Sequence, residues 1–236
     1  MIVTKDRLLA GCESFLADVS DECIDRLNVY AETLIEYNKK VNLTAITEPQ
    51  EVVRKHFTDS LQCLRGTSLA AGQKVLDIGS GGGFPGVVLL CYEPQIDIVL
   101  MDSVRKKTDF LKYLIEKLGL RATVLNGRAE EFARDAKMRE SFDTVTARAV
   151  AHLNPLAEYC MPFVRMGGSF VAMKGKLDDE EREFGIRAIC KLGGEVVKTE
   201  AYDMDGADRH MVVAKKVSHT STQYPRSQAQ ISKKML

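Results

Sequence analysis

The stretch Val75-Leu76-Asp77-Ile78-Gly79-Ser80-Gly81-Gly82-Gly83-Phe84-Pro85-Gly86 sets the reading of the whole chain. An apolar run ends in Asp-x-Gly-x-Gly-x-Gly, and a helix-compatible segment follows. A buried strand that turns through glycines into a helix lets a ligand approach the backbone, because glycine has no Cβ and tolerates φ > 0. The new helix points its free N–H groups at whatever sits there. Pro85 suits its first turn, where a missing N–H costs nothing. Five glycines between Gly79 and Gly86 set the stretch apart from an ordinary glycine-rich turn.

Two ligand classes use such a turn. A dinucleotide site wraps a pyrophosphate with the spacing Gly-x-Gly-x-x-Gly. Read from Gly79 that spacing fails at Phe84; read from Gly81 it is met by Gly83 and Gly86. Asp77 tilts the choice the other way. A carboxylate beside the glycines repels a pyrophosphate and suits a ligand carrying a cation, such as the ammonium and sulfonium of S-adenosylmethionine.

Outward from the turn, strands alternate with helices. Strands are expected at Lys74 to Ile78, Ile96 to Met101, Ala122 to Leu125, Phe142 to Thr146, Ser169 to Met173, Glu195 to Ala201 and His210 to Ala214. Helices are expected at about Pro85 to Cys91, Ser103 to Leu118, Glu130 to Ala136, Leu153 to Phe163 and Asp178 to Leu192. This alternation implies an α/β fold with a mostly parallel, seven-stranded sheet and helices on both faces. The last two strands follow one another directly and are expected to pair as a hairpin. Residues 1–64 read as a helical extension packed on the core: Ile24, Leu27, Tyr30, Ala31, Leu34 and Ile35 recur at helical spacing. A connector with Asn42 and Thr44 follows, and a second helix opens at Glu48-Pro49 with Thr47 as its expected cap. Residues 65–217 form the main domain. Residues 218–236 are polar, basic and pattern-free, and are expected to be a flexible tail without a cofactor contact.

Composition narrows the class. The 236 residues suit one large domain or one domain with an appendage. Thirty-three basic and 33 acidic residues cancel, so overall charge names no partner. Arg209 to Leu236, however, carries six Lys/Arg and no Asp/Glu. No apolar stretch approaches the ~20 residues of a membrane helix, and no signal-peptide core is seen, so a cytoplasmic location without membrane contact is expected. Six cysteines without a Cys-x-x-Cys pair, and four histidines without metal spacing, indicate no metal.

In an open parallel sheet, ligands sit at the strand carboxyl ends where strand order reverses. That rule selects four places: the glycine turn; Asp102, able to accept both ribose hydroxyls of an adenosine; Gly127-Arg128-Ala129-Glu130, placed to flank an adenine; and Thr146-Ala147-Arg148-Ala149. Bland alternatives exist. Asp102 can be a dipole-stabilised helix start, Glu130 a solvated charge, Arg148 a structural ion pair, and His56, near Asp59 on its helix, a packing residue. Tyr113 and Lys117 match the Tyr-x-x-x-Lys pair of short-chain dehydrogenases. They lie on the helix after strand two, whereas that chemistry needs them beyond strand four.

With these residues assembled, the chain resembles the class I S-adenosylmethionine-dependent methyltransferases, a Rossmann-like fold. Within them it is similar to the bacterial ribosomal RNA small subunit methyltransferase G family, also called glucose-inhibited division protein B. The pieces that carry the resemblance are Tyr37 to Thr44, His56-Phe57-Thr58-Asp59-Ser60, Asp77 to Gly86, Asp102-Ser103, Arg128-Ala129-Glu130, Thr146 to Ala149, Met173-Lys174-Gly175 and Arg209-His210. The resemblance implies methylation of guanine N7 in 16S ribosomal RNA near the decoding site, by a monomer acting on the RNA or the small-subunit particle. It implies S-adenosylmethionine as cofactor, with Gly79, Phe84, Ala129, Glu130 and Arg148 among its contacts, beside Asp77, Gly81 and Asp102 from the fold argument. Guanine N7 has a lone pair and no proton, so no catalytic base is expected. Asn42, His56, Arg148, Lys174, His210 and Arg226 are the RNA-side candidates. Tyr224-Pro225-Arg226 resembles the basic C-terminal extension of Gram-positive homologues. A nicotinamide-dependent oxidoreductase and a non-catalytic RNA-binding module on the same fold are the competing readings.

Overall fold

Apolar residues on alternate positions of the central strands point into two separate cores, and this fixes the layers. Val75, Ile98, Leu100, Val171, Met173, Met211 and Val213 join one apolar cluster, while Leu76, Met101, Phe170, Ala172, Val212 and Ala214 join the other. Period-two alternation with both faces apolar is the pattern of a sheet covered on each side. The computed structural model of the chain describes residues 1–148, 151–204 and 206–236.

The strands are β1 (Lys74–Ile78), β2 (Asp97–Asp102), β3 (Thr123–Asn126), β4 (Phe142–Arg148), β5 (Val164–Lys174), β6 (Gly194–Met204) and β7 (Ala207–Lys216). They form one sheet in the order β3-β2-β1-β4-β5-β7-β6. The first five run parallel, and β7 pairs antiparallel with both β5 and β6. The α/β architecture and the late hairpin therefore match expectation. Strand order reverses beside β1, so a crevice opens between the carboxyl ends of β1 and β4.

The extension supplies α1 (Lys5–Leu9), α2 (Asp21–Asn38), α3 (Pro49–Val52), a π-helical turn (Val53–Thr58) and α4 (Asp59–Leu61). Ser20 caps α2 by accepting from Cys23 N–H, and Asp21 and Glu22 sit in its first turn. The buried stripe Ile24, Leu27, Tyr30, Ala31 and Leu34 packs into one cluster with Val87, Leu90 and Phe110 of the main domain. α3 starts at Pro49 with Glu48, not Thr47, at the N-cap.

The remaining helices are α5 (Gly86–Tyr92), α6 (Arg105–Lys117), α7 (Ala129–Phe132), α8 (Leu153–Cys160), α9 (Asp179–Lys191) and α10 (Gln228–Lys233). α5 and α6 join the extension's side of the sheet, and residues of α8 and α9 fill the other core.

The flexible tail is corrected. Residues 218–236 are fixed to the domain by polar contacts and a few isolated apolar anchors, without an apolar stripe, which is why periodicity misses them. Arg139 donates to the carbonyls of Thr220, Ser221 and Tyr224. Arg226 grips the fully buried Glu158 carboxylate through Nε and Nη2, at 3.0 and 2.7 Å. Tyr224 and Ile231 are buried. Lys216, at the end of β7, has its side chain fully buried, with Glu140 at 3.0 Å. Of the six basic residues at this end, Lys216 and Arg226 are therefore paired inside the protein, and Arg209 lies 3.9 Å from the buried Asp59.

Candidate active site

The glycine turn is built from β1 and tied to β2: Gly79 and Ser80 N–H both donate to Met101 O, at 2.8 and 3.1 Å. Gly81 has φ 56°. A Cβ there would meet only Gly79 O at 3.7 Å, so the position demands the left-handed conformation rather than space. Gly86 is the opposite case. A Cβ there would fall 2.5 Å from Leu100 Cδ2 and 2.7 Å from Asp77 Oδ2.

That close approach explains Asp77. Its carboxylate is wholly buried beneath the turn and accepts from Gly86 N–H at 3.1 Å and from the Thr146 hydroxyl at 2.9 Å. Burial pushes its carboxyl up to about 6, against the pull of these hydrogen bonds. Asp77 lines neither cavity described below. The expected contact with a ligand's cation is corrected: Asp77 holds the turn in shape and joins it to β4.

Two cavities flank the turn. The first, about 410 Å³, is lined by Gly79, Asp102, Val104, Ala129, Glu130 and Arg148, among others. Asp102 is 6% exposed; its Oδ2 accepts from Gly81 N–H at 2.9 Å and its Oδ1 from Val104 N–H at 2.8 Å. Each carboxylate oxygen keeps a further lone pair for a hydroxyl in the cavity. The turn and the β2 terminus thereby fix each other.

The second cavity, about 290 Å³, lies on the extension's side and is lined by Thr44, His56, Phe84, Lys174, Tyr202 and Arg209, with Gly81 and Asp59. Gly79, Lys107 and Arg148 line both cavities. Arg148 Nη1 pairs with Asp59 Oδ2 at 2.7 Å and Nη2 lies 3.2 Å from His56 Nδ1, while the guanidinium sits 4.8 Å over the Phe84 ring. The guanidinium has only donors, so His56 Nδ1 accepts and its Nε2–H donates to Thr44 Oγ1 at 2.7 Å. Burial first, and Arg148 second, push His56 down to about 3, so it is neutral. His56 stacks on Phe84 at 4.3 Å, and Tyr30 stacks on Phe84 at 5.5 Å while its hydroxyl donates to Gly82 O. The extension is therefore part of the site's wall.

Of the expected cofactor contacts, Asp102, Ala129 and Glu130 line the first cavity, Gly79 and Arg148 both, and Phe84 and Gly81 the second. Of the RNA-side candidates, His56, Arg148 and Lys174 line the second cavity. His210 lines neither; it lies opposite Lys174 in the sheet, its Nδ1 3.0 Å from Gly175 O. Asn42 is exposed in the connector beside the cavity residues Leu43 and Thr44. Arg226 lines neither cavity and is held by Glu158. Ala149 lies outside the described residues. Tyr113, expected near the core stripe, is 44% exposed and lines neither cavity, so the dehydrogenase pair has no site to serve. Sequence reasoning missed Lys107, Tyr202, Arg209 and Gln228. The π-helical turn that carries His56 is a recurrent mark of functional sites, but it has no sequence signature.

The family model for rRNA small subunit methyltransferase G matches residues 23–212. The curated protein of that name from Clostridium novyi (strain NT) is 40% identical over 234 residues, which is 98% of this chain and 96% of that protein. The chain belongs to the rRNA small subunit methyltransferase G family. The relative from Lactococcus lactis subsp. cremoris (strain MG1363) is also 40% identical, over 95% of each chain. Among solved structures, TrmN from Thermus thermophilus has a TM-score of 0.56 at 16% identity, covering 70% of this chain and 53% of that one. M. jannaschii TYW2, solved in complex with AdoMet, has a TM-score of 0.53 at 14% identity, covering 66% of this chain and 74% of that one. At such identities these structures bear on the fold, which is that of class I methyltransferases. Membership in the methyltransferase G family makes the chain a methyltransferase and removes the oxidoreductase and non-catalytic readings. Among the described residues, no helix is long and apolar enough to cross a membrane, and no group of His, Cys, Asp and Glu could hold a metal.

Proposed function

We propose that the chain methylates N7 of a guanine in 16S ribosomal RNA, near the decoding site, with S-adenosylmethionine bound in the first cavity and the guanine presented in the second. The observation that carries this reading is that the two cavities meet at Gly79 and Arg148. A ligand on each side of that junction brings donor and acceptor atoms together without a further group between them.

The first cavity suits an adenosine with an amino-acid arm. Asp102, pre-set by two backbone amides, accepts from ribose hydroxyls, and the Ala129–Glu130 segment flanks the base. When bound, the cofactor supplies an electrophilic methyl group. Everything else falls to the chain's own residues. The second cavity is lined by Lys55, Lys107, Arg148, Lys174 and Arg209; Lys55, Arg148 and Lys174 pair with Glu51, Asp59 and Glu181, so the five cations still outnumber the carboxylates beside them, which suits an anionic polynucleotide. Arg209 Nε makes no hydrogen bond and lies 3.9 Å from Asp59 Oδ1, so Arg209 shares that buried carboxylate with Arg148 while lining the cavity. An unpaired guanine can leave its stack and lie against Phe84 and His56. Guanine N7 has no proton to lose, so neutral His56 orients and packs rather than acting as a base. Alignment supplies the rate.

The test is transfer of labelled methyl from S-adenosylmethionine to small subunits and to their naked RNA, followed by mapping of the modified base. Label at guanine N7 supports the proposal; label on another base or atom, or none, overturns it.

A further inference from the structure

Gln228 belongs to the C-terminal tail, yet it lines the first cavity. It also borders the shallow groove that continues outward past Arg128 and Glu130, so it stands at that end and away from the junction with the second cavity. The tail reaches this point because it is fastened on both sides. Before Gln228, Arg226 binds Glu158 through its backbone N–H at 2.7 Å, its Nε at 3.0 Å and its Nη2 at 2.7 Å. After it, Leu236 N–H donates to Asn154 Oδ1 at 3.0 Å, and Asn154 Nδ2 donates to Leu236 O at 3.1 Å. Glu158 and Asn154 both lie on α8, whose neighbouring Tyr159 lines the same cavity. Ser227 and Gln230 form a capping box that starts α10 at Gln228. A carboxylate with no solvent exposure is strongly disfavoured without its partner, so Glu158 gives Arg226 little freedom to leave.

From this placement we infer that Gln228 is a cofactor-contact residue that hydrogen-bonds the nucleobase edge of S-adenosylmethionine, and that Arg226 and Glu158 are positioning residues that hold it there. The inference rests on the assignment of the first cavity to that cofactor. With the ribose at Asp102 and the reacting methyl toward Gly79 and Arg148, the base falls at the Arg128–Glu130 end, where Gln228 stands. A carboxamide presents one donor and one acceptor side by side, which matches the N6 donor and adjacent ring-nitrogen acceptor of adenine. The paired Arg226 thus serves the cofactor rather than the RNA.

The experiment is calorimetric titration of the full-length protein with 5′-methylthioadenosine and with S-adenosylhomocysteine, beside thermal unfolding. Gln228→Ala is expected to weaken both ligands equally, about three- to tenfold, the range for one lost hydrogen bond. Its unfolding midpoint should not move, because the side chain is exposed. Arg226→Ala should give a similar loss of affinity when measured well below its midpoint, and Arg226→Lys a smaller one. If Gln228→Ala binds both ligands normally while Asp102→Ala binds them weakly, the tail contact is wrong and the cavity assignment stands. If both variants bind normally, the cavity assignment itself fails. A loss confined to S-adenosylhomocysteine places the contact on the amino-acid arm and overturns the base contact. Arg226→Ala with a lowered midpoint and unchanged affinity reduces the ion pair to a structural role.

Discussion

Arg148 Nη1 lies 2.7 Å from Asp59 Oδ2, and this pair joins the end of β4 to the N-terminal extension at the mouth of the second cavity. Both side chains are largely shielded, at 12% and 6% exposure. Asp59 also accepts from Tyr202 O–H at 3.2 Å, so one carboxylate gathers the extension, β4 and the edge strand β6. Asp59→Ala leaves a desolvated guanidinium without its partner, which typically costs about 3–5 kcal/mol. Asp59→Asn keeps an acceptor and should cost less. Urea unfolding of both variants measures this. A midpoint for Asp59→Ala equal to that of the unchanged protein would mean the extension is held by its apolar contacts alone.

His56 and Asp77 give the fold opposing pH dependences. His56 has its proton affinity depressed from 6.5 to about 3 in the folded state. Its neutral burial therefore stabilises fully above pH 6.5, and that contribution is lost as pH falls toward 3, because the unfolded chain takes up the proton first. Asp77 is raised from 3.8 to about 6, so its contribution is fully present below 3.8 and lost as pH rises through 6. At pH 5 His56 contributes roughly 2 kcal/mol against folding and Asp77 roughly 1 kcal/mol in favour, relative to neutral pH. Between pH 7.5 and pH 5, His56→Gln should therefore lose less stability than the unchanged protein. Denaturant unfolding at the two pH values decides; equal losses would mean that His56 carries its proton in the folded state.

Asp102 holds two backbone amides and faces the first cavity. Asp102→Ala should weaken S-adenosylmethionine binding by about 1.5–3 kcal/mol, the usual size for hydrogen bonds to a charged group. Equilibrium titration of the purified variant checks this, and unchanged affinity would refute a ribose role for the carboxylate.

At Gly81 the structure separates conformation from space. Its φ of 56° resists a β-branched side chain, whereas asparagine tolerates the left-handed region, and room exists for a Cβ. Gly81→Val should abolish cofactor binding while the fold survives, and Gly81→Asn should keep the shape of the turn. If both variants lose binding to the same extent, bulk facing the ligand, and not the backbone conformation, is the limit.

What was legible in the chain follows from what repeats. Alternating apolar positions announced the sheet, and the run from Asp77 to Gly86 announced the turn between the two cavities, because backbone geometry demands those residues in that order. Asp102 was legible because it ends a strand beside that turn. The role of Asp77 was not: its carboxylate turns inward only because Gly86 leaves room for it, and that is a tertiary fact. Tyr202 and Arg209 meet Asp59 across a hairpin far away in sequence, with no spacing to betray them. The docking of the tail was not legible because an Arg–Glu pair, a few carbonyl contacts and the isolated buried side chains Tyr224 and Ile231 fix it, and such contacts leave no period.

Residues 218–236 contain Arg226, Lys233 and Lys234, and Arg226 is engaged by Glu158. Lys233 and Lys234 are exposed. Lys233 and Lys234 are therefore the two cations of the tail that have no buried carboxylate to hold them. Each contact contributes roughly 0.7–0.9 to the slope of log affinity against log salt. The double variant Lys233→Ala/Lys234→Ala should flatten that slope by at most roughly 1.4–1.8. Its cofactor affinity should stay unchanged, because neither lysine lines the first cavity. Lys107→Ala gives the contrast. Lys107 lines both cavities at the junction, so its loss should weaken RNA binding and reduce methyl transfer together. RNA affinity of the three proteins across a salt series is the measurement. A slope unchanged in the double variant would place all the phosphate contacts on the folded rim around Lys55, Lys107 and Arg209, and the tail would then serve the cofactor side alone.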